Sequence, residues 1–290
     1  MLGAVSIPYF LLVVRPTDAP PDKKKTKSMR YICALTIAGS DSCGGAGVQA
    51  DIKTMSALGV YAASAITSVT VQNTLGVQAI QAIQPEIVAG QIRAVMDDIK
   101  PTAIKVGMVN DQATILAIAD TLQQYSTQKL VVDPVMVSTS GSMLMQKDAL
   151  GTFCSRLLPM ATLLTPNIPE AEVLSNLSIS SIDDMDAAGR SILALGCKAV
   201  LIKGGHLEGR KVDKLYLPNN EVGSFVHEAI ATRNTHGTGC TLSSAIAAFM
   251  APPQAKTYLS QALEAGKDVH IGEGHGPINH LFNPEKQIIL

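Results

Sequence analysis

Apolar runs alternate with amphipathic stretches along most of this chain, and that alternation predicts repeated strand–helix units. Residues 33–38 form a short apolar run that ends at Gly39, as expected of a buried strand, and residues 45–58 have the spacing of a helix with one apolar face. Further strands are predicted at residues 65–71, 103–106, 129–132, 161–164 and 199–202. Further helices are predicted at residues 85–99, 112–125, 148–158, 182–195, 240–250 and 255–263.

Two short runs late in the chain are typical of a hairpin at the edge of a sheet. Residues 215–217 and 224–228 lie on either side of Asn219 and Asn220, which are turn formers. Strand–helix units with one late hairpin predict an α/β fold, in which a mostly parallel, doubly wound sheet carries helices on both faces. Residues 29–290 contain no internal repeat and no linker, so we expect them to form a single domain.

The first 28 residues differ in composition from the rest. Residues 15–28 are rich in proline and lysine, which predicts a disordered extension that belongs to no domain. Residues 7–14 are apolar, but a membrane span needs about 20 apolar residues, and a secretory signal normally begins with positive charge. We therefore expect no membrane association, and Met29 would be a natural start for the domain.

Composition narrows the class of protein further. The chain is 47% hydrophobic and only 4% aromatic, which suits an aliphatic core around a buried parallel sheet. Its formal net charge of -1 offers no basic excess for a nucleic-acid backbone. Its five cysteines show no C-x-x-C pair and no metal-ligand spacing, which favours reduced thiols and a cytoplasmic location.

Polar and glycine-rich residues collect where the predicted strands end. Ligands of doubly wound sheets bind beyond the carboxyl ends of the strands, so this placement predicts a binding site there. The positions concerned are residues 39–41, 72–73, 107–108, 133, 165–167 and 203–206.

The sharpest motif is the string NTHGTGC at residues 234–240, which leads into an apolar helix. Gly237 and Gly239, with Thr238 between them, would let successive N–H groups converge on an anion, and the helix start would add its dipole. The alternative for a bare G-x-G is an ordinary tight turn. Cys240 stands at the helix start, where its pKa could fall and its thiolate could accept a proton; the alternative is a small buried hydrophobe.

A second glycine-rich string, residues 39–47, is followed by Asp51. Its small residues would let a ligand pack against backbone. It lacks the spacing G-x-G-x-x-G, which disfavours a dinucleotide site. The chain also has neither a G-x-x-x-x-G-K-[ST] loop nor a protein-kinase signature, so a nucleotide site here must be of another type.

Five polar residues have a functional interpretation, and all of them except Glu170 also have a structural one. Glu170 could hold magnesium through water, and Asn167 could serve the same site or simply cap a helix. Asp133 could be a second magnesium carboxylate or a turn former. Lys203 could face phosphate or solvent, and Gln72 could pair with a heterocycle edge or lie in a turn.

Several strings together resemble the hydroxymethylpyrimidine/phosphomethylpyrimidine kinases of thiamine biosynthesis, which have the ribokinase-like fold. The matching stretches are residues 34–41, 44–51, 71–74, 105–108, 132–136, 164–171, 201–206, 234–240 and 272–280. The resemblance implies transfer of the ATP γ-phosphoryl group to the pyrimidine alcohol and then to its monophosphate, with Mg²⁺, in a homodimer.

The resemblance also implies a role for each site residue. Gln72 would bind the aminopyrimidine, in a pocket lined by Gly39, Ala46, Asp51 and Met108. The anion hole would be Gly237, Thr238, Gly239 and Cys240, with Cys240 as the base. ATP would meet Asn167, Lys203 and Thr235, and magnesium would meet Glu170 and Asp133.

Two rival functions stay open beside this one. A pyridoxal kinase would act on a similar ring alcohol, but Gln72 and the glycine-rich segment favour a pyrimidine. A non-catalytic pyrimidine-binding relative is the second rival. The short connection at residues 250–258, where a longer passage between helices is expected, favours it, and the intact anion-hole motif speaks against it.

Overall fold

The computed structural model describes residues 30–126, 129–138, 141, 143–205, 211–249 and 252–288. The extension predicted for residues 1–28 lies outside these residues. Within them, no helix is both long and apolar enough to cross a membrane.

A nine-stranded sheet forms the centre of the described structure, in the order β3-β2-β1-β4-β5-β6-β7-β8-β9. Neighbours from β2 to β7 pair in parallel, and antiparallel pairs occur at both edges. The strands are β1 Cys33–Asp41, β2 Tyr61–Asn73, β3 Gly76–Ala82, β4 Ala103–Val106, β5 Lys129–Val132, β6 Leu163–Leu164, β7 Val200–Ile202, β8 Lys211–Tyr216 and β9 Val222–His227.

Helices cover both faces of the sheet, because successive strand side chains point to opposite faces and each apolar face must be buried. One core cluster joins the sheet to α2–α6, and the other joins it to α1, α7 and α8. The helices are α1 Gly47–Ala57, α2 Pro85–Asp98, α3 Gln112–Leu122, α4 Ala149–Thr152, α5 Ile168–Ser175, α6 Ile182–Leu193, α7 Thr238–Phe249 and α8 Pro252–Gly266.

The structure differs from the predicted elements in three places. β3 was not predicted, because most of its side chains are exposed and the strand has no apolar face to reveal it. The helix predicted at residues 148–158 is irregular, since α4 continues as a π-helical turn, Phe153–Leu157, and a 3₁₀ turn, Leu158–Met160. The helix α5 was missing from the predicted elements, although Asn167 was recognised as a possible cap.

A buried ion pair joins four of these elements. Lys105 on β4 donates to both carboxylate oxygens of Asp51 on α1, at 2.9 and 2.8 Å, and both side chains are 0% exposed. Thr36 on β1 and Ser244 on α7 also donate to that carboxylate. Burial alone would lower the pKa of Lys105, but the Asp51 carboxylate raises it above its ordinary value. The ammonium is therefore charged, and α1 and α7 are fixed to the central strands.

Replacing Lys105 by methionine should lower the free energy of unfolding by roughly 3–5 kcal/mol, because the Asp51 charge is left buried without its partner. The double variant Asp51→Asn/Lys105→Met removes both charges at similar volume and should recover most of that loss. Urea unfolding of the three proteins measures the difference. Equal stability of the single and double variants would contradict this account.

A buried histidine near the end of the described chain makes stability depend on pH. The ring of His280 contacts the Thr241 hydroxyl at 3.1 Å, and its carbonyl accepts a hydrogen bond from Tyr258 at 2.7 Å. Burial lowers the pKa of His280 from 6.5 to about 4. The unfolded chain therefore binds a proton at this histidine near pH 6.5, whereas the folded chain binds it only near pH 4.

We expect this histidine to have no effect on the free energy of unfolding above pH 6.5. As the pH falls from 6.5 to 4, it should lower that free energy by about 3 kcal/mol. His280→Gln should reduce the difference in unfolding free energy between pH 7 and pH 4.5. The exposed His270 provides the control, since His270→Gln should keep the wild-type difference. A wild-type pH dependence in His280→Gln would refute the assignment.

Candidate active site

A cleft of about 700 Å³ opens at the carboxyl ends of the parallel strands. It includes the point between β1 and β4 where the chain changes direction across the sheet, which is where doubly wound folds bind ligands. All of the predicted site residues except one line it: Gly39, Ala46, Gln72, Met108, Asp133, Asn167, Glu170, Lys203, Thr235, Gly237, Thr238, Gly239 and Cys240. The structure thus brings them together, and their individual roles remain predictions.

Asp51 is the exception, and the prediction that it lines the pyrimidine pocket is corrected. Its side chain lies outside the cleft, fully buried against Lys105. The sequence placed Asp51 one helical turn into α1, where the side chain turns toward the sheet instead of the ligand. Its partner Lys105 was not recognised, because the two residues are far apart in sequence.

The loop that carries the anion-hole motif packs directly against the other glycine-rich loop. Gly237 has a positive φ of 80°, and a side chain there would overlap the carbonyl oxygen of Gly45. The N–H of Thr238 turns back to the Thr235 carbonyl at 3.3 Å, so this amide serves the turn. The next two amides in α7, those of Gly239 and Cys240, belong to the first helical turn and have no partner within the helix. They and the helix dipole are the groups left for an anion.

The thiol of Cys240 is less acidic than the sequence suggested. Burial raises the pKa of Cys240 to about 11, and the Lys105 ammonium opposes this only in part because the Asp51 and Asp133 carboxylates add to it. The expectation that the helix start lowers this pKa is therefore wrong for the free protein. A hydrogen bond with the backbone of Gly47, at the start of α1, also favours the thiolate but does not offset burial.

Asp133 and Lys203 form a second ion pair at the centre of the cleft. The Lys203 ammonium lies 2.8 Å from the Asp133 carboxylate, and its side chain is 15% exposed, so Lys203 is not a surface lysine. Thr165 and Ser243 donate to the same carboxylate at 3.0 and 3.2 Å. Burial would raise the pKa of Asp133, but Lys203 and then Lys105 hold it below its ordinary value. Asp133 is therefore a charged group that contacts Lys203, Thr165 and Ser243, and it is more than a turn former.

Glu170 combines a structural contact with an unusual charge state. Its carboxylate accepts the N–H of Asn167 at 2.8 Å, and the Asn167 side chain accepts the N–H of Glu170 at 2.9 Å. This capping box begins α5. Burial raises the pKa of Glu170 to about 7; the Asp133 charge adds to the rise and the Lys203 charge opposes it. Two carboxylates that compete for ionisation in this way fit a divalent cation, which would relieve their repulsion.

The opposite end of the cleft carries an acid–histidine pair that sequence reasoning missed. Asp41, at the end of β1, lies 2.8 Å from Nε2 of His236. The sulfur of Cys43 completes a group whose ligand atoms lie within 4.8 Å of one another. The Asp41 oxygens also accept the backbone N–H groups of Cys43, Gly45 and Ala46. Both Asp41 and His236 stand inside the glycine-rich strings, which was the one available signal.

The helix α8 closes the far end of the cleft despite the short connection before it. Lys256 of α8 pairs with Asp213 of β8 at 2.7 Å, and Leu259 and Leu263 line the wall beyond. Residues 250 and 251 of the connection lie outside the described residues. The short passage therefore still delivers a helix to the site.

Comparison with known proteins gives the family. The family model described as phosphomethylpyrimidine kinase matches residues 41–279. The hydroxymethylpyrimidine/phosphomethylpyrimidine kinase of Rhizobium meliloti (strain 1021) is 46% identical over 257 residues, which cover 86% of this chain and 96% of that protein. The Escherichia coli (strain K12) protein of the same name is 43% identical over 262 residues, with 87% and 98% covered.

Solved structures agree with the sequence comparison. The phosphomethylpyrimidine kinase of Clostridium difficile 630 is 44% identical, with a TM-score of 0.72 and coverage of 80% of this chain and 99% of that one. Pyridoxal kinase of Bacillus subtilis, solved as an ADP complex, is 33% identical, with a TM-score of 0.77 and coverage of 86% and 97%. These structures confirm the predicted ribokinase-like fold. The chain belongs to the phosphomethylpyrimidine kinase family.

Proposed function

We propose that this chain transfers the γ-phosphoryl group of ATP to 4-amino-5-hydroxymethyl-2-methylpyrimidine, and then to the resulting monophosphate, in thiamine biosynthesis. The observation that carries the proposal is that Gln72, Cys240 and the start of α7 open into one cleft. Relatives named as thiamine biosynthesis bifunctional proteins support the pathway, among them one from Geobacter sulfurreducens at 45% identity.

The pyrimidine occupies the end of the cleft near Gln72. A carboxamide both donates and accepts, as the edge of an aminopyrimidine does. Gly39, Ala46 and Met108 line the same region and leave room for a flat ring. The hydroxymethyl group then points along the cleft toward Cys240.

The nucleotide occupies the other part of the cleft, where charge can be stabilised. Lys203, Asn167 and Thr235 meet the phosphates, and the amides of Gly239 and Cys240 face the transferred group. Phosphoryl transfer depends mainly on positioning and charge stabilisation, which these groups supply together. Magnesium held by Asp133 and Glu170 would neutralise phosphate charge.

Cys240 accepts the proton of the attacking hydroxyl in this proposal. With a pKa of about 11, only a small fraction of the thiol is ionised at neutral pH, but that fraction is a strong base. The charge of Lys105 favours the thiolate and lowers the pKa of Cys240. The rate should therefore follow the thiolate fraction.

A coupled ADP-release assay with ATP and Mg²⁺ tests the function. We expect ADP release with the pyrimidine alcohol and with its monophosphate, and a higher kcat/KM for the alcohol than for pyridoxal. A preference for pyridoxal would favour a vitamin B6 kinase, to which the pyridoxal kinase neighbours are similar. Pyrimidine binding in a calorimeter without ADP release would favour a non-catalytic binder.

Cys240→Ala should lower kcat at least about 100-fold while the Kd for the pyrimidine stays within about threefold, because the thiol serves proton transfer and not ring binding. The wild-type kcat should rise about tenfold for each pH unit between pH 6 and pH 9, and the variant should lose this rise. Cys154→Ala is the matched control. A variant with unchanged kcat, or with the wild-type pH profile, would contradict the base assignment.

Two finer statements complete the proposal. We infer a homodimer, because the edge strand β3 carries no charge that would oppose pairing with a second copy, and the exposed Val69 and Val71 of the adjacent β2 add apolar surface. We infer a cytoplasmic location from the reduced state of the cysteines, which are free in the described residues.

A further inference from the structure

The Asp41–His236 pair connects the two glycine-rich loops, and the reaction above gives it no role. Asp41 is 2% exposed and His236 is 7% exposed. One Asp41 oxygen accepts the N–H groups of Gly45 at 3.0 Å and Ala46 at 2.8 Å, in addition to Nε2 of His236 at 2.8 Å. Burial would raise the pKa of Asp41, but the hydrogen bond with His236 and the backbone N–H groups hold it below its ordinary value. The carboxylate is ionised, so Nε2 of His236 carries a proton and donates it.

This donated proton restricts the neighbouring carboxamide of Gln72. The Gln72 side-chain nitrogen lies 3.4 Å from Nε2 of His236, which would bring two N–H donors face to face. On the other side, the Thr70 hydroxyl lies 3.1 Å from the Gln72 side-chain oxygen and 3.0 Å from the Ser40 carbonyl. One hydroxyl hydrogen cannot serve both acceptors.

Rotating the carboxamide by half a turn resolves both conflicts. Its oxygen then faces the Nε2–H of His236, which Asp41 accepts as the main partner and the carboxamide oxygen only shares. Its nitrogen donates to the Thr70 hydroxyl, and that hydroxyl donates to Ser40. The backbone of Gln72 is already held by Ser42 through hydrogen bonds of 2.9 and 2.7 Å, so the side-chain torsion is the freedom that remains. After the rotation, no donor faces a donor and no acceptor faces an acceptor in this network.

We propose that Asp41 and His236 are positioning residues that lock the Gln72 carboxamide with its oxygen toward His236 and its nitrogen toward Thr70. The inference rests on the proposed function and specifies which edge of the ligand ring the Gln72 carboxamide recognises. One lone pair of the oxygen and one N–H of the nitrogen remain for the ligand. They match an edge on which an amino group lies beside an unprotonated ring nitrogen.

The lock also decides which way the ring faces. The amino group binds the carboxamide oxygen and therefore lies on the side of His236. In the proposed substrate the hydroxymethyl group is attached next to the amino-bearing carbon, so it lies on that same side. His236 directly precedes Gly237, which places the alcohol toward the anion hole and Cys240.

An analogue with an oxo group in place of the amino group tests this reasoning. Its carbonyl accepts and its ring N–H donates, so it fits the locked carboxamide only after the ring turns over. The turned ring aims the hydroxymethyl group away from Cys240. A freely rotating carboxamide, in contrast, would accept the oxo analogue in the productive orientation.

The experiment compares kcat/KM and calorimetric Kd for the amino substrate and the 4-oxo analogue. The wild type should favour the amino substrate at least about 100-fold in kcat/KM, because a mismatched edge leaves buried polar groups unpaired. His236→Gln, whose amide can donate or accept, should reduce that ratio at least about tenfold. Thr70→Val removes the second anchor at equal volume and should also reduce it. The exposed His275 gives the control, since His275→Gln should keep the wild-type ratio.

The outcomes separate the lock from the function. If the wild type releases no ADP with the amino substrate, the proposed function is refuted. The ratio of the calorimetric Kd values for the amino substrate and the 4-oxo analogue still tests whether the Gln72 carboxamide is locked. A ratio in both His236→Gln and Thr70→Val within twofold of the wild type overturns the lock. Should His236→Gln fail to fold, Thr70→Val alone decides, because valine keeps the shape of threonine on a strand.

Discussion

The ion pair between Lys105 and Asp51 is the contact on which the geometry of the site depends. Both charges are removed from water, which is tolerable only when the pair is close and its remaining hydrogen-bonding sites are filled. Thr36 and Ser244 fill them, so the pair is satisfied only when β1, α1, β4 and α7 are all in place. The helix α1 begins at the end of the glycine-rich string at residues 39–47, and α7 begins within the string at residues 234–240. One interior contact therefore fixes the spacing between the two halves of the cleft.

Consecutive serines extend this control to the second ion pair. Ser244 donates to Asp51, and Ser243 donates to Asp133 at 3.2 Å. Side chains one residue apart on a helix point in different directions, which lets α7 reach both carboxylates at once. Cys240, one turn earlier, lies among two cations and two anions. The charge on its sulfur is thus set by residues from the whole sheet, and the helix start contributes only part of it.

The sequence predicted the features that depend on residues close together along the chain. Most residues of strands such as β4 and β5 are buried and apolar, so the positions of these strands and the polar residues at their ends could be identified from the sequence. β3 could not, because it has no buried face. The partners of Asp41 and Asp51 lie far away along the chain, so neither His236 nor Lys105 could be matched to them in advance. The acidity of Cys240 was misjudged because burial, invisible in the sequence, outweighs the helix start.

The contact between Gly237 and Gly45 has a consequence for how the protein is made. A side chain at Gly237 would overlap the Gly45 carbonyl, and one at Gly45 would overlap the His236 ring, yet one loop follows β1 and the other precedes α7. A nascent polypeptide can therefore form β1 and α1 well before the residues that pack against Gly45 have been synthesised.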